Sequence, residues 1–312
     1  MKTISIVTPT FNEEDNIELL YDKVRQIFEA DLSNYKYEHI FIDNSSDDAT
    51  VDMLKDIAKK DKRVKIIVNS RNFGHIKSPF YGLLQAKGDA VISLVADLQD
   101  PPEMIIDFVK KWEEGYETVI AIKRSSAENK IMFKIRELYY DILSSLSEVE
   151  VFKNFTGFGL YDKKIIDALI KMDDPYPFAR TMIGEAGFNI SKIEYDQPIR
   201  LRGISKNNFY SLYDVAILGI ISNSKVPLRM AIFIGIFFSF VSIVVGAGYF
   251  IAKLLYWNSM SLGMAPLLIM SSLMFSILLI FIGIIGEYIG AIYTQVLKRP
   301  LVFEKERINF DD

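Results

Sequence analysis

The chain has 312 residues, of which 50% are hydrophobic and 24% charged, and its formal net charge is −4 at pH 7. This length accommodates one large domain, or one domain with an attached element. The acidic balance argues against electrostatic binding of nucleic acid, which needs a basic surface. The chain has no cysteine and 2 histidines, which excludes disulfides, thiolate metal sites and multi-histidine sites. Oxygen ligands must therefore hold any metal, which indicates Mg²⁺ or Mn²⁺.

Residues 1–207 alternate between short strand-like and longer helix-like patterns. Apolar and β-branched runs predict strands at residues 4–8, 39–42, 64–69, 90–95 and 118–122. Apolar positions at helical spacing predict helices at residues 16–30, 49–60, 78–86 and 102–114. This alternation predicts an α/β domain with a mainly parallel sheet and flanking helices. The first residues lack a basic segment followed by a long apolar run, so we expect no signal peptide and a cytoplasmic domain.

Three polar, carboxylate-rich loops follow predicted strands, at residues 8–14, 43–48 and 97–103. In such sheets ligands bind beyond the carboxyl ends of the strands. Helix capping explains any one of these loops, but it does not explain three that the topology gathers on one edge. Clustered carboxylates at that edge suit a divalent cation that bridges a diphosphate. The sequence contains neither a P-loop nor a GxGxxG motif after the first strand, so those nucleotide-binding motifs are unsupported.

Residues 208–228 form a juxtamembrane segment ahead of two long apolar stretches. Apolar side chains at helical spacing predict an amphipathic helix there, and they are Phe209, Leu212, Tyr213, Ala216, Ile217 and Ile220. Two interpretations of this helix stay open. It packs against the core of the preceding domain, or it lies on the membrane surface.

Residues 229–312 contain the two apolar stretches, and crossing a bilayer takes about 20 such residues. We expect a transmembrane domain with spans at about 230–252 and 266–290, followed by a short cytoplasmic tail. Lysine and arginine flank the outer ends of both spans, whereas the connecting loop carries only Lys253. The positive-inside rule then predicts a multi-pass protein of the inner membrane with both termini in the cytoplasm. Glu287 either lies at the interface or pairs with a basic group inside the membrane.

Several motifs are similar to those of one enzyme family. The motifs that resemble family 2 glycosyltransferases with the GT-A fold are residues 7–14 (VTPTFNEE), 71–75 (RNFGH), 88–90 (GDA) and 96–103 (ADLQDPPE). Those that resemble its polyprenyl-phosphate subgroup are residues 202–206 (RGISK), 227–229 (PLR) and 286–290 (GEYIG). That subgroup includes dolichol-phosphate mannose synthase and bactoprenol glucosyltransferase. The resemblance covers nearly the whole chain and implies a Rossmann-like GT-A domain with a C-terminal two-helix transmembrane anchor.

The resemblance also implies an activity. A single sugar passes, with inversion, from a nucleotide sugar to polyprenyl (undecaprenyl) phosphate at the cytoplasmic membrane face, for modification of a cell-envelope glycan. The implied donor is a UDP-sugar, with glucose and N-acetylglucosamine considered first. The implied partners are the nucleotide sugar, the lipid acceptor and the membrane, with no nucleic acid. Family members include homotetramers, so a homo-oligomer is a further expectation.

The same resemblance implies roles for residues at the strand ends. The residues that match the nucleoside-holding loop are Pro9, Asn12 and Glu13. Asp43 matches the carboxylate that reads the base. Asp97 and Gln99 match the positions that hold Mg²⁺ or Mn²⁺ on the diphosphate, and Asp97 is also counted as catalytic.

Basic residues are implied to contact the lipid phosphate or the diphosphate. Those counted as catalytic are Arg124, Arg202 and Lys206, while Ser205 is placed with the residues that bind the cofactor and donor. Further candidates for the acceptor phosphate, on the helix that follows Arg124, are Lys134 and Arg136. Together these groups would neutralise the charge of two phosphate-bearing substrates.

Four positions depart from the family pattern. Val95 replaces the first carboxylate of the Asp-x-Asp motif, and Asn44 replaces the second carboxylate of an Asp-Asp pair. Gly157 and Gly159 stand where many relatives carry an aspartate and an arginine. The second pKa of a monophosphate is about 6, so a lipid phosphate is largely a dianion near neutral pH and needs little help from a general base.

Two other functions stay open. The departures from the pattern are compatible with a non-catalytic membrane scaffold that binds a nucleotide sugar, because a fold does not guarantee an activity. A polymerising glycan synthase is the second alternative. Residues 197–200 (QPIR) approach the Gln-x-x-Arg-Trp motif of such enzymes, but Leu201 stands in place of the tryptophan and only two spans are predicted.

Overall fold

Within the residues that the structure describes, eight strands form one sheet. The computed structural model describes residues 1–124, 140–141, 143–145, 150–198, 217, 219–221, 224–256 and 264–310. The strands are β1 (Thr3–Thr10), β2 (Lys36–Asp43), β3 (Val64–Asn69), β4 (Ala90–Ser93), β5 (Thr118–Lys123), β6 (Phe155–Asp162), β7 (Ile190–Tyr195) and β8 (Glu304–Ile308). Their order across the sheet is β7-β5-β6-β4-β1-β2-β3-β8.

Six strands of this described sheet run in the same direction. β1 pairs in parallel with β2 and β4, β2 pairs in parallel with β3, and β5 pairs in parallel with β7. β6 is antiparallel to β4 and β5, and β8 is antiparallel to β3. The predicted mainly parallel α/β fold is therefore confirmed. The carboxyl ends of these six strands lie along one side of the sheet, which we call the C-edge. The segments at or directly after those ends are residues 10–14, 43–48, 69–74, 94–100, 123–124 and 195–196.

Six helices of the described residues cover the two faces of the sheet: α1 (Ile17–Ala30), α2 (Thr50–Lys60), α3 (Gly74–Leu84), α4 (Met104–Glu113), α5 (Lys163–Met172) and α6 (Ala179–Glu185). One hydrophobic cluster joins α1, α2 and α4 to the sheet and includes Leu20, Leu54 and Phe108. A second cluster, which includes Phe80 and Ile165, joins α3, α5 and α6 to the other face. Because both faces are covered, polar groups of the sheet reach solvent mainly at the strand ends.

Gly159 allows β6 to pack directly against β5. A Cβ atom added there would overlap the carbonyl oxygen of Val119 and lie 3.2 Å from the Cα atom of Ile120. We expect Gly159→Ala to push the two strands apart and to lower the free energy of unfolding by about 1–3 kcal/mol, the usual cost of overpacking. Thermal unfolding in detergent measures the effect. Gly246→Ala is the control, since nothing lies within 4 Å of its added Cβ, and equal melting temperatures for both variants would contradict the prediction.

The residues that follow the second apolar helix return to the sheet. Lys298–Asp312 belongs to the same compact unit as Met1–Gly219. Lys55 Nζ lies 2.6 Å from Glu306 Oε2, and the Tyr81 hydroxyl donates to Glu304 Oε1 at 2.7 Å. The prediction that this segment is a tail of the transmembrane domain is therefore corrected, because it supplies the edge strand β8 of the N-terminal sheet.

The second compact unit, Ile220–Leu297, holds two long apolar helices, α7 (Val226–Leu255) and α8 (Met264–Leu297). Both are long and apolar enough to cross a membrane, with mean hydropathies of 2.5 and 2.2 over their most apolar windows. The Tyr288 hydroxyl of α8 donates at 2.6 Å to the carbonyl of Ser224, which lies two residues before α7. They are candidate membrane spans, and both extend beyond the predicted limits. The predicted boundary at 207/208 and most of the juxtamembrane helix at 208–228 lie outside the described residues.

His39 is fully buried in β2, and its Nδ1 atom finds no hydrogen-bond partner among the described residues. Its Nε2 atom lies 3.0 Å from Thr8 Oγ1. Burial lowers the pKa of His39 to about 3. The unfolded chain therefore takes up this proton first, near the ordinary pKa of about 6.5, and stability falls as the pH drops from there towards 3.

We expect this histidine to cost the protein about 2 kcal/mol of unfolding free energy between pH 7 and pH 5. His39→Gln, which does not titrate, should flatten the dependence of the unfolding temperature on pH in that range. His75→Gln makes the same substitution at the other histidine, which is exposed, and is the matched control. A His39→Gln variant with the wild-type slope would show that another group controls acid stability.

Candidate active site

The first two loops of the C-edge are interlocked by Asn12. Its backbone adopts a φ of 55°, a left-handed conformation that asparagine tolerates. The Asn12 amide donates to Ser46 Oγ at 2.9 Å, and its side-chain oxygen accepts from the Asp47 amide at 2.9 Å. Asn12 thus fixes the loop after β1 against the loop after β2, and the predicted nucleoside-holding residue also has this structural role.

The other residues predicted for the nucleoside loop lie close to Asn12 in the chain. Pro9 is half-buried in β1, paired in register with Ile42. The Glu13 amide donates to Thr50 Oγ1 at 2.9 Å, and its carboxylate accepts from Asn16 Nδ2 at 2.7 Å. The structure therefore brings Pro9 and Glu13 to the C-edge, where Glu13 also organises the start of α1.

Asp43 is a fully buried carboxylate at the end of β2. It accepts hydrogen bonds from Thr10 Oγ1 at 3.1 Å, from the Ser46 amide at 2.9 Å and from Ser46 Oγ at 2.5 Å. A carboxylate offers about four acceptor positions, so these three bonds leave about one for a further donor. The group is positioned rigidly, and these three bonds do not use all of its acceptor positions.

The hydrogen bonds of Asn44 require a side-chain amide. Its Nδ2 atom donates to Asn72 Oδ1 at 2.9 Å and to the Gly74 carbonyl at 3.2 Å. Its Oδ1 atom accepts from the Phe73 amide at 2.9 Å and from Asn69 Nδ2 at 3.2 Å. An aspartate could accept the last two bonds but could not donate the first two. The side chain therefore holds the loop that follows β3.

The loop after β4 brings two carboxylates together in different surroundings. Asp97 is half-buried, and its Oδ1 atom accepts from the Gln99 amide at 3.1 Å across a turn in which Leu98 has a φ of 58°. Asp100 is buried, and its Oδ1 atom accepts from the Tyr195 hydroxyl at 2.7 Å. The loop thus presents Asp97 towards the C-edge and anchors itself to β7 through Asp100.

Burial raises the pKa of Asp100 to about 6, against the lowering effects of the Tyr195 hydrogen bond and the Lys123 charge, while the Asp97 charge raises it further. Burial likewise raises the pKa of Tyr195, with the neighbouring Asp100 charge adding to the effect. Sequence reasoning missed the pairing of Asp100 with Tyr195, because the two residues are 95 positions apart. The one signal was the presence of Asp100 within the 96–103 motif.

The donor set of this loop fits a hard divalent cation. Among the described residues, no three histidine or carboxylate side chains cluster as a complete metal-binding group. Magnesium needs fewer protein ligands, since one or two carboxylates plus substrate phosphate oxygens commonly complete its coordination. Asp97 supplies a half-buried carboxylate and Gln99 a side-chain amide oxygen two positions later. These residues are therefore suited to a cation that arrives with a diphosphate.

Of the predicted phosphate-binding residues, the structure describes Arg124. Arg124 follows β5 at the C-edge, and its Nε atom lies 2.9 Å from Glu194 Oε2, with both side chains 59% exposed. Such an exposed ion pair is worth about 0–1 kcal/mol, so a phosphate could displace it at little cost. The predicted residues that lie outside the described part of the chain are Arg202, Ser205, Lys206, Lys134 and Arg136.

Gly157 lies at the amino end of β6, which is also at the C-edge. Its φ is +99°, a conformation that side chains rarely adopt, and its carbonyl accepts from the Tyr161 hydroxyl at 2.7 Å. A carboxylate at this position would need a different local backbone. Gly157 therefore supplies no general base.

Comparison with known proteins shows which enzyme family the chain resembles. The model of "Glycosyl transferase family 2" matches residues 5–170. The "Bactoprenol glucosyl transferase" of Shigella phage SfII is 36% identical over 299 residues, which cover 95% of this chain and 96% of that protein. The "Uncharacterized glycosyltransferase YkcC" of Bacillus subtilis is 33% identical over 304 residues, which cover 95% of this chain and 91% of that protein.

A solved structure, the glucosyl-3-phosphoglycerate synthase of Mycobacterium tuberculosis in complex with Mn²⁺, UDP-glucose and phosphoglyceric acid, is 19% identical. It covers 70% of this chain and 78% of its own, with a TM-score of 0.48. The family match and the relatives with more than 30% identity decide the assignment. The chain belongs to glycosyl transferase family 2, and it is a glycosyltransferase with two candidate membrane spans.

Proposed function

We propose that this glycosyltransferase moves a single sugar from a nucleotide sugar to a polyprenyl phosphate, giving a polyprenyl-phosphate sugar for modification of a cell-envelope glycan. The main support for the proposal is the length of chain over which a relative can be aligned with this protein. The bactoprenol glucosyl transferase of Shigella phage SfII aligns with 95% of this chain, a share that includes most of the two apolar helices as well as the sheet. An acceptor with a polyprenyl tail resides in the bilayer, which fits an enzyme with candidate spans.

The donor is a nucleotide sugar, with a UDP-sugar as our first choice. Asp43 accepts from the base with its remaining lone pair, while Pro9, Asn12 and Glu13 shape the nucleoside pocket around it. Asp97 and Gln99 would hold Mg²⁺ or Mn²⁺, which would neutralise charge on the diphosphate. The bound cation supplies charge neutralisation for the departing nucleoside diphosphate.

The reaction is a single displacement that inverts the anomeric carbon. A phosphate oxygen of the acceptor forms a bond to C1 of the sugar as the bond from C1 to the diphosphate oxygen breaks. The acceptor is already a dianion near neutral pH, since its second pKa is about 6, so this step requires no proton removal. Arg124, Arg202 and Lys206 are proposed to balance the phosphate charges, and the Ser205 hydroxyl to donate a hydrogen bond to a phosphate oxygen. These contacts would position the nucleophile without a dedicated base.

The reaction takes place on the cytoplasmic face. The chain before α7 and the chain after α8 meet in one sheet, because β8 pairs with β3. Two helices that both cross a bilayer return the chain to the side where it entered, which agrees with this pairing. Lys225, Arg229, Lys298 and Arg299 flank the helix pair, and the positive-inside rule assigns that side to the cytoplasm. We also propose that copies associate as a homo-oligomer.

An activity assay tests the proposal. Purified full-length protein is mixed with undecaprenyl phosphate, Mg²⁺ or Mn²⁺, and a panel of UDP- and GDP-sugars. We expect one donor to yield a monoglycosylated lipid, and EDTA to abolish its formation. A long saccharide product would instead indicate a polymerising synthase. Nucleotide binding without turnover across the panel would indicate a scaffold that has lost its activity.

A further inference from the structure

The loop at residues 70–74, which we call the β3 loop, is held from two sides. On the C-edge side, the Phe73 amide and the Gly74 carbonyl bond to the Asn44 side chain at 2.9 and 3.2 Å. On the outer side, the Ser70 amide donates to the Phe303 carbonyl at 2.8 Å. The rings of Phe73 and Phe303 also meet, with their centroids 6.2 Å apart. The β3 loop therefore lies between the end of β2 and a residue that follows α8.

Phe303 is itself fixed by its neighbours in the chain. Val302 is 5% exposed, and Glu304 accepts from the Tyr81 hydroxyl at 2.7 Å. At the other end of β8, Asn309 Nδ2 donates to the carbonyls of Ala58 and Val64, each at 2.9 Å. The segment is thus anchored at both ends. Its Phe303 carbonyl accepts from the Ser70 amide, and the Phe303 ring, although 58% exposed, lies beside Phe73 of the β3 loop.

We propose that Phe303 is a positioning residue for donor binding. It fixes the β3 loop through its carbonyl and ring, the loop bonds to Asn44, and Asn44 directly follows the Asp43 carboxylate that reads the base. This inference rests on the proposed function, because it assigns the nucleoside to the pocket beside Asp43. Affinity for the nucleotide then depends on a segment beyond the second candidate span, well outside residues 5–170 that match the family model.

The test compares two phenylalanines of the same segment. Phe303→Ala removes the ring beside Phe73, whereas Phe310→Ala removes a half-buried ring that lies near Lys65 and Arg307, away from the β3 loop. Three quantities are measured on full-length protein in detergent: hydrogen exchange of the amides at residues 70–74, binding of UDP and GDP by calorimetry, and the donor KM and kcat. The first two do not depend on turnover.

For Phe303→Ala we expect amide exchange in the β3 loop to accelerate, and the nucleotide Kd and donor KM to rise about three- to tenfold, with kcat within about twofold of the wild type. Phe310→Ala should lower the unfolding temperature without these changes. Equal effects of both variants, or a Phe303→Ala variant with wild-type exchange and Kd, would overturn the proposal. Failure of the wild type to bind either nucleotide would overturn it too, whereas tight UDP binding without transfer would count against the proposed activity alone.

Discussion

Asp97→Asn should reduce sugar transfer by about a hundredfold or more while the protein remains folded. The substitution keeps the shape of the side chain and its acceptor for the Gln99 amide, which lies 3.1 Å from Asp97 Oδ1 in the native loop. It removes the negative charge that would hold a divalent cation on the diphosphate. The loss should appear mainly in kcat, because the cation stabilises the charge that develops on the leaving group. Initial rates of glycolipid formation over a range of Mg²⁺ and Mn²⁺ concentrations measure the effect.

Asp107→Asn is the matched control for this experiment. Asp107 is an exposed aspartate of the neighbouring helix α4, paired with Lys110 at 3.4 Å. Its substitution makes the same chemical change about ten positions along the chain, and we expect no effect on the rate. If Asp97→Asn retained wild-type activity and metal dependence, Asp97 would not be the metal ligand.

Asp43→Ala should weaken donor binding more than tenfold and also destabilise the protein. The variant leaves the Thr10 hydroxyl and the two donors of Ser46 without their buried acceptor. An unsatisfied buried donor costs about 1–3 kcal/mol, so a loss of a few kcal/mol is expected even if the Ser46 loop relaxes. Calorimetric titration with UDP and thermal unfolding separate the two effects.

Asp61→Ala separates lost stability from lost binding. Asp61 precedes β3 at the opposite side of the sheet, and its carboxylate accepts from Tyr21 at 3.0 Å and from Arg63 at 2.8 Å. This variant should unfold at a lower temperature but bind UDP as the wild type does. Wild-type UDP affinity in Asp43→Ala would refute the assignment of Asp43 to the base.

Much of the first half of the fold could be predicted because its elements carry local patterns. β3 has its predicted limits of 64–69, and the three loops at 8–14, 43–48 and 97–103 do meet at the C-edge. These predictions succeeded since strand–helix alternation dictates parallel pairing, and parallel pairing brings the carboxyl ends together. The resemblance to the family then supplied roles that pattern alone could not assign.

β8 could not be predicted by the same reasoning. Its sequence, EKERI, is mostly charged, and hydrophobic periodicity does not identify such a segment. Charge is nevertheless compatible with an edge strand, which has a neighbour on one side and exposes much of its surface. The Lys55–Glu306 pair joins residues 251 positions apart, and no local signal links positions so distant.

The hydrogen-bond pattern of the site was equally invisible in the sequence. The Asn44 side chain appeared to be a loss of charge, yet its amide supplies two donors that an aspartate lacks. The partner of Asp100 lies on β7, a strand that the sequence reasoning did not identify. Side-chain partners of this kind depend on tertiary packing, which sets them only after the sheet has formed.

Because β8 is the last strand along the chain, it is synthesised after all the other strands of the sheet. At translation rates of about 5–20 residues per second, roughly 10–50 s pass between the synthesis of Lys55 and that of its partner Glu306, 251 positions later. From the synthesis of β3 until that of β8, β3 lacks its outer neighbour, and an unpaired edge strand can pair with other chains. Both apolar helices are made before β8 can pair with β3. A chain that ends within α7 or α8 therefore lacks β8 and leaves β3 as an unpaired edge strand.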